Sequence, residues 1–235
     1  MPKEHDSMLS EHIFEVRYRA NSKILDYRGK WAELISEHLS LPHWSIVENR
    51  IDIFDKPNSE RAFVGFRNSG YTCSDPSTAN FFPDRAIKFY KHLSKLDGFG
   101  SPLFVERIGV RSKFLSAYES NFETLLALFT KNYVSIPEKA QKSINAKLTD
   151  IGAPLNFTDK IGNFNTVCGP MKKDQMKDFM PKRTDYPEVG LFYDIDYWQK
   201  PNSNTPDNEI SRLIQEYART AWERHATIIS LILEG

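Results

Sequence analysis

The constraint that does most to limit what this chain can fold into is an order of elements that recurs: strand, helix, strand, strand, helix, then the same again. Residues Ile13 to Arg19 alternate strictly, with Phe14, Val16 and Tyr18 on one side and Glu15, Arg17 and Arg19 on the other. That is the period of a strand with one buried face. Leu25, Trp31, Leu34, Ile35 and Leu39 then recur at three- and four-residue spacing until Pro42, which predicts a helix. Val47 to Phe54 and Arg61 to Arg67, joined by the turn residues Asp55 to Ser59, read as a hairpin. A second helix runs through Ala86, Phe89, Tyr90 and Leu93 and stops near Gly98 or Gly100.

The second half opens with Phe104, Ile108, Val110 and Phe114 alternating against Arg107, Gly109, Arg111 and Lys113. A helix from Asn121 to Tyr133 follows. Leu148, Ile151, Leu155 and Phe157 then suggest one or two strands, and Gly169 to Pro187 reads as an exposed, mobile loop with a short helix around Lys172 to Phe179. Glu188 to Trp198 carries the clearest alternation: Val189, Leu191, Tyr193, Ile195 and Tyr197 against Gly190, Phe192, Asp194, Asp196 and Trp198. The last helix starts at Thr205-Pro206-Asp207 and continues to Ile232.

Three short matches support a duplication: Val16-Arg17 with Val110-Arg111, Val64-Gly65-Phe66 with Val189-Gly190-Leu191, and Pro83-Asp84 with Pro206-Asp207. The expectation is an α+β fold of duplicated β-α-β-β-α halves, forming a mainly antiparallel sheet with its helices on one face. Residues 1–235 are expected to make one domain of two halves, 12–100 and 103–235, with an insertion at about 135–187.

The apolar sides of the strands must then face the helices, which leaves Arg17, Arg19, Arg107, Arg111, Asp194, Asp196 and Trp198 on the opposite face. Charges of both signs there have two readings. One is a solvated sheet laced by cross-strand ion pairs, each contributing about 0.2–1 kcal/mol. The other is a recognition surface in which arginines present planar, bidentate donors. Exposed Trp198, Phe192 and Tyr71 would add stacking or docking area to it. Reversing Arg107 and Arg111 to Glu is then expected to abolish docking with the fold intact.

Lysine plus arginine and aspartate plus glutamate balance at 31 each, so the long-range positive field of a dedicated duplex binder is missing. Nucleic acid is a possible partner but not the favoured one. Asp194-Ile195-Asp196 places two carboxylates on one strand face, which suits Mg²⁺ in a hydrolase or nuclease, yet no third carboxylate stands at fixed spacing. His225 falls in the apolar stripe of the last helix and reads as a core residue, while His12, His38, His43 and His92 read as element ends or helix surface. Gly98-Phe99-Gly100 lacks the rest of a phosphate loop, and GxSxG and CxxC are absent. No cofactor or metal is expected. Cys73 and Cys168 fit reduced thiols. With no run near the roughly 18 apolar residues of a membrane span, and no apolar leader in Met1 to Asp6, a cytoplasmic protein without membrane contact is expected.

Glu106-Arg107-Ile108-Gly109-Val110-Arg111, His12-Ile13-Phe14-Glu15-Val16-Arg17 and Arg224-His225-Ala226 together resemble an uncharacterised, sporadically distributed bacterial protein family of about this length. That family has an Arg-Ile-Gly-Leu-Arg type strand and a histidine near the C-terminus. Where the family pattern continues with Asn or Tyr, this chain has Ser112-Lys113. The resemblance implies no catalytic residues; patchy distribution implies accessory genes, such as those of phage-defence or toxin-antitoxin systems. The leading expectation is a non-enzymatic binding or assembly protein that docks a protein partner or a second copy through the Arg/Asp/aromatic face. The alternatives are a Mg²⁺-dependent hydrolase at Asp194 and Asp196, or a nucleic-acid or small-ligand binding module.

Overall fold

A computed structural model describes residues 8–99, 104–181, 183–201 and 205–234. Met1 to Asp6, Gly100 and the junction at 101–103 lie outside the described residues. Among the described residues, one antiparallel sheet of nine strands runs in the order β2-β3-β4-β5-β1-β6-β9-β8-β7. The strands are β1 (Met8–Tyr18), β2 (His43–Val47), β3 (Arg50–Asp55), β4 (Glu60–Gly65), β5 (Asn68–Ser74), β6 (Val105–Ala117), β7 (Ala153–Thr158), β8 (Asn163–Lys172) and β9 (Val189–Gln199). The helices are α1 (Lys23–Leu39), α2 (Phe81–Leu93), α3 (Phe122–Phe129), α4 (Glu138–Ile144), α5 (Lys173–Phe179) and α6 (Asp207–Glu234). The fold is α+β.

The halves meet at β1 and β6, which pair along almost their whole length, from Met8 opposite Ser116 to Arg17 opposite Arg107. Outward from this pair, β5, β4 and β3 on one side mirror β9, β8 and β7 on the other. Each half therefore carries three strands after its first helix where the β-α-β-β-α pattern has two, and β2 adds an edge strand to the first half. The Val16/Val110 match lies on the central pair, and Pro83 and Pro206 lie at the starts of the mirrored helices α2 and α6. The Val64-Gly65 match is not equivalent: it closes β4, whereas Val189-Gly190 opens β9, whose mirror is β5. Likewise β7 and β8, inside the expected insertion, complete the second half. Its additions are the segment around α4 and the arm of α5 with residues 180–187.

Alternation decides which side is dry. Phe14, Val16, Ile108, Val110, Phe114, Leu191, Ile195 and Tyr197 are fully or almost fully buried under α1, α2, α3 and α6, with Trp31, Phe89, Phe129 and Tyr217 from the helices. The short helix α5 packs on the opposite face. Met176, Met180 and Tyr186 from the arm cover Leu115, Phe192 and Met171, forming a second, smaller core. The described residues of the Gly169 to Pro187 stretch thus pair in β8, form α5 and pack on the sheet, and are not an exposed loop. Among the described residues no helix is long and apolar enough to cross a membrane.

Gly70 in β5 is required by packing. A Cβ there would lie 2.2 Å from the Phe14 carbonyl oxygen and 2.7 Å from the Phe63 ring, which lies across it. Gly70→Ala should lower stability by about 2–3 kcal/mol, read from urea denaturation; a change under about 0.5 kcal/mol would show that the Phe14 backbone and the Phe63 ring do not close over this position.

Candidate binding face

On the face opposite the main helices, β5, β1, β6, β9 and β8 present Asn68, Glu15, Arg17, Arg107, Arg111, Asp194, Asp196, Trp198 and Asn165 at alternate positions. Strand register determines who meets whom. Arg111 stands directly opposite Asp196 but reaches diagonally to Asp194, donating from Nε at 2.9 Å to Oδ1 and from Nη2 to Oδ2. Arg107 donates from Nη2 to Asp196 Oδ2 at 2.7 Å. Its path runs beside Gly109, where an added Cβ would lie 3.5 Å from the guanidinium and 3.0 Å from the Tyr197 carbonyl oxygen. Glu15 lies 3.8 Å from Arg107, accepts from Arg17, and accepts from Asn68 Nδ2 at 3.1 Å. The result is a chain of alternating charges across three strands, extended to β5 by the neutral Asn68.

Members of this chain differ in burial. The Asp194 side chain is 6% exposed, whereas Arg111 is 45% and Arg17 is 53% exposed. The hydrogen bonds of Arg111 to Asp194 raise the Arg111 pKa above its usual value. Burial raises the pKa of Asp196, and Arg107 opposes that rise. Asp194 and Asp196 are thus both engaged by guanidinium groups, and among the described residues no group of three or more His, Cys, Asp or Glu side chains could hold a metal ion. A divalent ion at the Asp-x-Asp pair would have to displace both arginines. Reversal of Arg107 and Arg111, expected from the sequence to spare the fold, would instead strand two carboxylates.

Arg17, Arg107, Arg111, Asp194 and Asp196 are brought together, and Trp198 joins them, with Arg107 Cζ 5.7 Å from its ring centroid. Arg19 does not join. Register shifts between Arg17 and Tyr18, and Arg19 lies past the end of β1, with its guanidinium 4.1 Å over Phe104 and 3.9 Å from Glu106. Phe192 and Tyr71 are not exposed either. Phe192 lies under the arm, and Tyr71 points into the main core, where its hydroxyl donates to Glu60 at 2.5 Å. Glu15, Asn68 and Gly109 complete the cluster. Period-two patterning puts Glu15 on this face, but nothing in the sequence reveals the roles of Asn68 and Gly109.

The same face is covered at its other end. Phe179 lies 5.0 Å from Phe192, Lys113 Nζ donates to the Phe179 carbonyl at 2.9 Å, and Arg183 pairs with Asp75 beyond β5. The arm thus crosses from β8 toward β5 and leaves the Arg17–Trp198 end bare.

Behind the face, a buried polar cluster joins the halves. His12, in the middle of the sheet and not at an element end, stands opposite Ser112 and shares a 2.9 Å hydrogen bond with its hydroxyl. Trp222, Phe82 and Phe114 surround its ring, and Phe114 stacks at 4.3 Å on His225, which is buried as its helical spacing predicts. Burial, and secondarily the nearby His225, lowers the His12 pKa to about 3. Because the folded value lies below the unfolded value of about 6.5, neutral His12 supports the fold fully above that pH, and the support fades as pH falls from 6.5 toward 3.

Arg111→Ala should cost about 2 kcal/mol in urea denaturation, since it leaves Asp194 buried without its bidentate partner, while Arg17→Ala should cost under about 0.5 kcal/mol. Equal costs would contradict the assignment of Asp194 as the buried anchor. His12→Phe should flatten the loss of stability between pH 6.5 and 4; an unchanged slope would place the titrating group elsewhere. No protein-family model matches the chain, and no curated protein is similar to it.

Proposed function

We propose that the chain is a non-enzymatic binding or assembly protein that docks a protein partner, or a second copy of itself, through the bare end of the sheet face around Arg17, Arg107, Arg111, Asp196 and Trp198. The observation that carries this reading is the division of one face into two ends. At one end the chain's own arm seats Met176, Met180 and Tyr186 on Leu115 and Phe192. At the other, half-exposed guanidinium groups and a partly exposed Trp198 are held in place and left uncovered.

Arg111 keeps an exposed edge after binding Asp194 and is therefore set to donate to an acidic side chain or backbone carbonyl of a partner at little ordering cost. Trp198 offers the kind of aromatic anchor that carries much of the energy in protein interfaces. Glu15, Asp194 and Asp196 neutralise the arginines locally, which disfavours a polyanionic partner such as nucleic acid. An accessory role in a bacterial defence or toxin-antitoxin system fits a protein that acts by docking.

Arg17→Glu combined with Trp198→Gln changes the exposed members and spares the buried pair. The double variant should lose the partner that co-purifies with the full chain, or fall to a smaller species in light scattering, with its thermal midpoint unchanged. Retention of both partner and size would sink the proposal.

A further inference from the structure

Apart from the arginine face, a concavity is lined by residues of the second half, from α3, the turn after it, residues 146–149 and the end of β8. After α3 the chain makes a wide turn at Thr130–Val134, closed by a hydrogen bond from Ser135 N to the Thr130 carbonyl at 2.8 Å, with Ser135 left-handed at φ 54°. Such five-residue turns often accompany functional sites. Asn132 pins the turn to α6 by donating to the Ile232 carbonyl at 3.0 Å. The chain returns along residues 146–149 and leaves a groove of about 780 Å³. In the first half, α1 is followed within a few residues by β2, and no such segment intervenes.

The groove has an apolar floor of Phe122, Leu126, Ile136 and Leu148. Its rim is cationic: among the described lining residues, Lys131, Lys147 and Lys172 stand against one acid, Glu123. Lys172 Nζ lies 4.6 Å from the Phe122 ring centroid, which puts a positive charge directly above the apolar floor. Lys131 and Lys147 are exposed and form no ion pair among the described residues. The volume falls in the range of roughly 300–1,000 Å³ typical of small-ligand sites, which combine an apolar lining with a few charged groups.

We infer that this groove binds a small amphiphile with a carboxylate head, of the fatty-acid class. The acyl chain lies along Phe122, Leu126 and Leu148, and the carboxylate meets the lysine rim. A neutral chain of equal length gains the same apolar burial but not the ion pairs, so the head group sets the discrimination.

Isothermal titration of the full chain with decanoate and with decanol tests this. Decanoate should bind saturably at one site and at least tenfold more tightly than decanol. Lys131→Glu with Lys147→Glu should weaken decanoate binding by at least tenfold and remove its advantage over decanol. Ala127→Trp, at an exposed position on the groove wall, should abolish binding of both. Both variants should keep the wild-type thermal midpoint. Absence of saturable decanoate binding, affinity unchanged in either variant, or binding of an acidic amphipathic peptide in place of decanoate would overturn the inference.

Discussion

The antiparallel pairing of β1 with β6 is the contact on which the rest of this structure depends. It joins the two halves into one sheet and fixes the register of both faces at once. On the dry side it sets His12 against Ser112 and Phe14 against Val110; on the other it places Glu11 opposite Lys113 and Arg17 opposite Arg107. A shift of one residue would exchange these sets, driving charges into the core and Phe14 and Val16 into water. The buried His12–Ser112 hydrogen bond and the Glu15–Arg107–Asp196 chain act as polar markers of that register, one on each face. Buried polar groups of this kind add little net energy but penalise every alternative in which they lose their partners.

The ion pairs of the open face have a double character that neither sequence reading alone captures. Asp194 is a structural anion, taken almost fully out of water and satisfied by Arg111. The outer edges of Arg111 and Arg17 are not consumed by that role. A guanidinium has five donors in a fixed fork, so one side can hold a buried carboxylate while the other faces solvent. The framework that stiffens the sheet therefore also presents donors in fixed positions, and the arm across the far end shows how a polypeptide lies on such a surface.

Strands with one wet and one dry side were legible in the sequence: β1, β6 and β9 show clean alternation, and the faces of Arg107, Arg111, Asp194 and Asp196 followed from it. Strands β5 and β2 were not legible, for opposite reasons. In β5, Ser69, Gly70 and Thr72 are small because Phe63 fills the space over Gly70 and the Tyr18 hydroxyl lies 2.6 Å from Ser69 Oγ, so a buried strand carries little apolar signal. At the edge, β2 buries too little to need a pattern. Gly169-Pro170 has the composition of a loop, yet both residues lie in β8, paired with Phe192 and Leu191 of β9 and past the last pairing with β7 at Cys168, where the strand is an edge that tolerates proline. Which arginine meets which aspartate could not be read, because diagonal pairing depends on register and on the gap at Gly109.

One sheet face is divided into a dry end under the arm and a bare polar end around Trp198. Hydroxyl-radical footprinting of the free chain tests it directly. Rapid oxidation at Trp198 and strong protection of Met176, Met180 and Phe192 are expected. Comparable reactivity at Met176, Met180 and Trp198, or protection of Trp198 in the free chain, would contradict it.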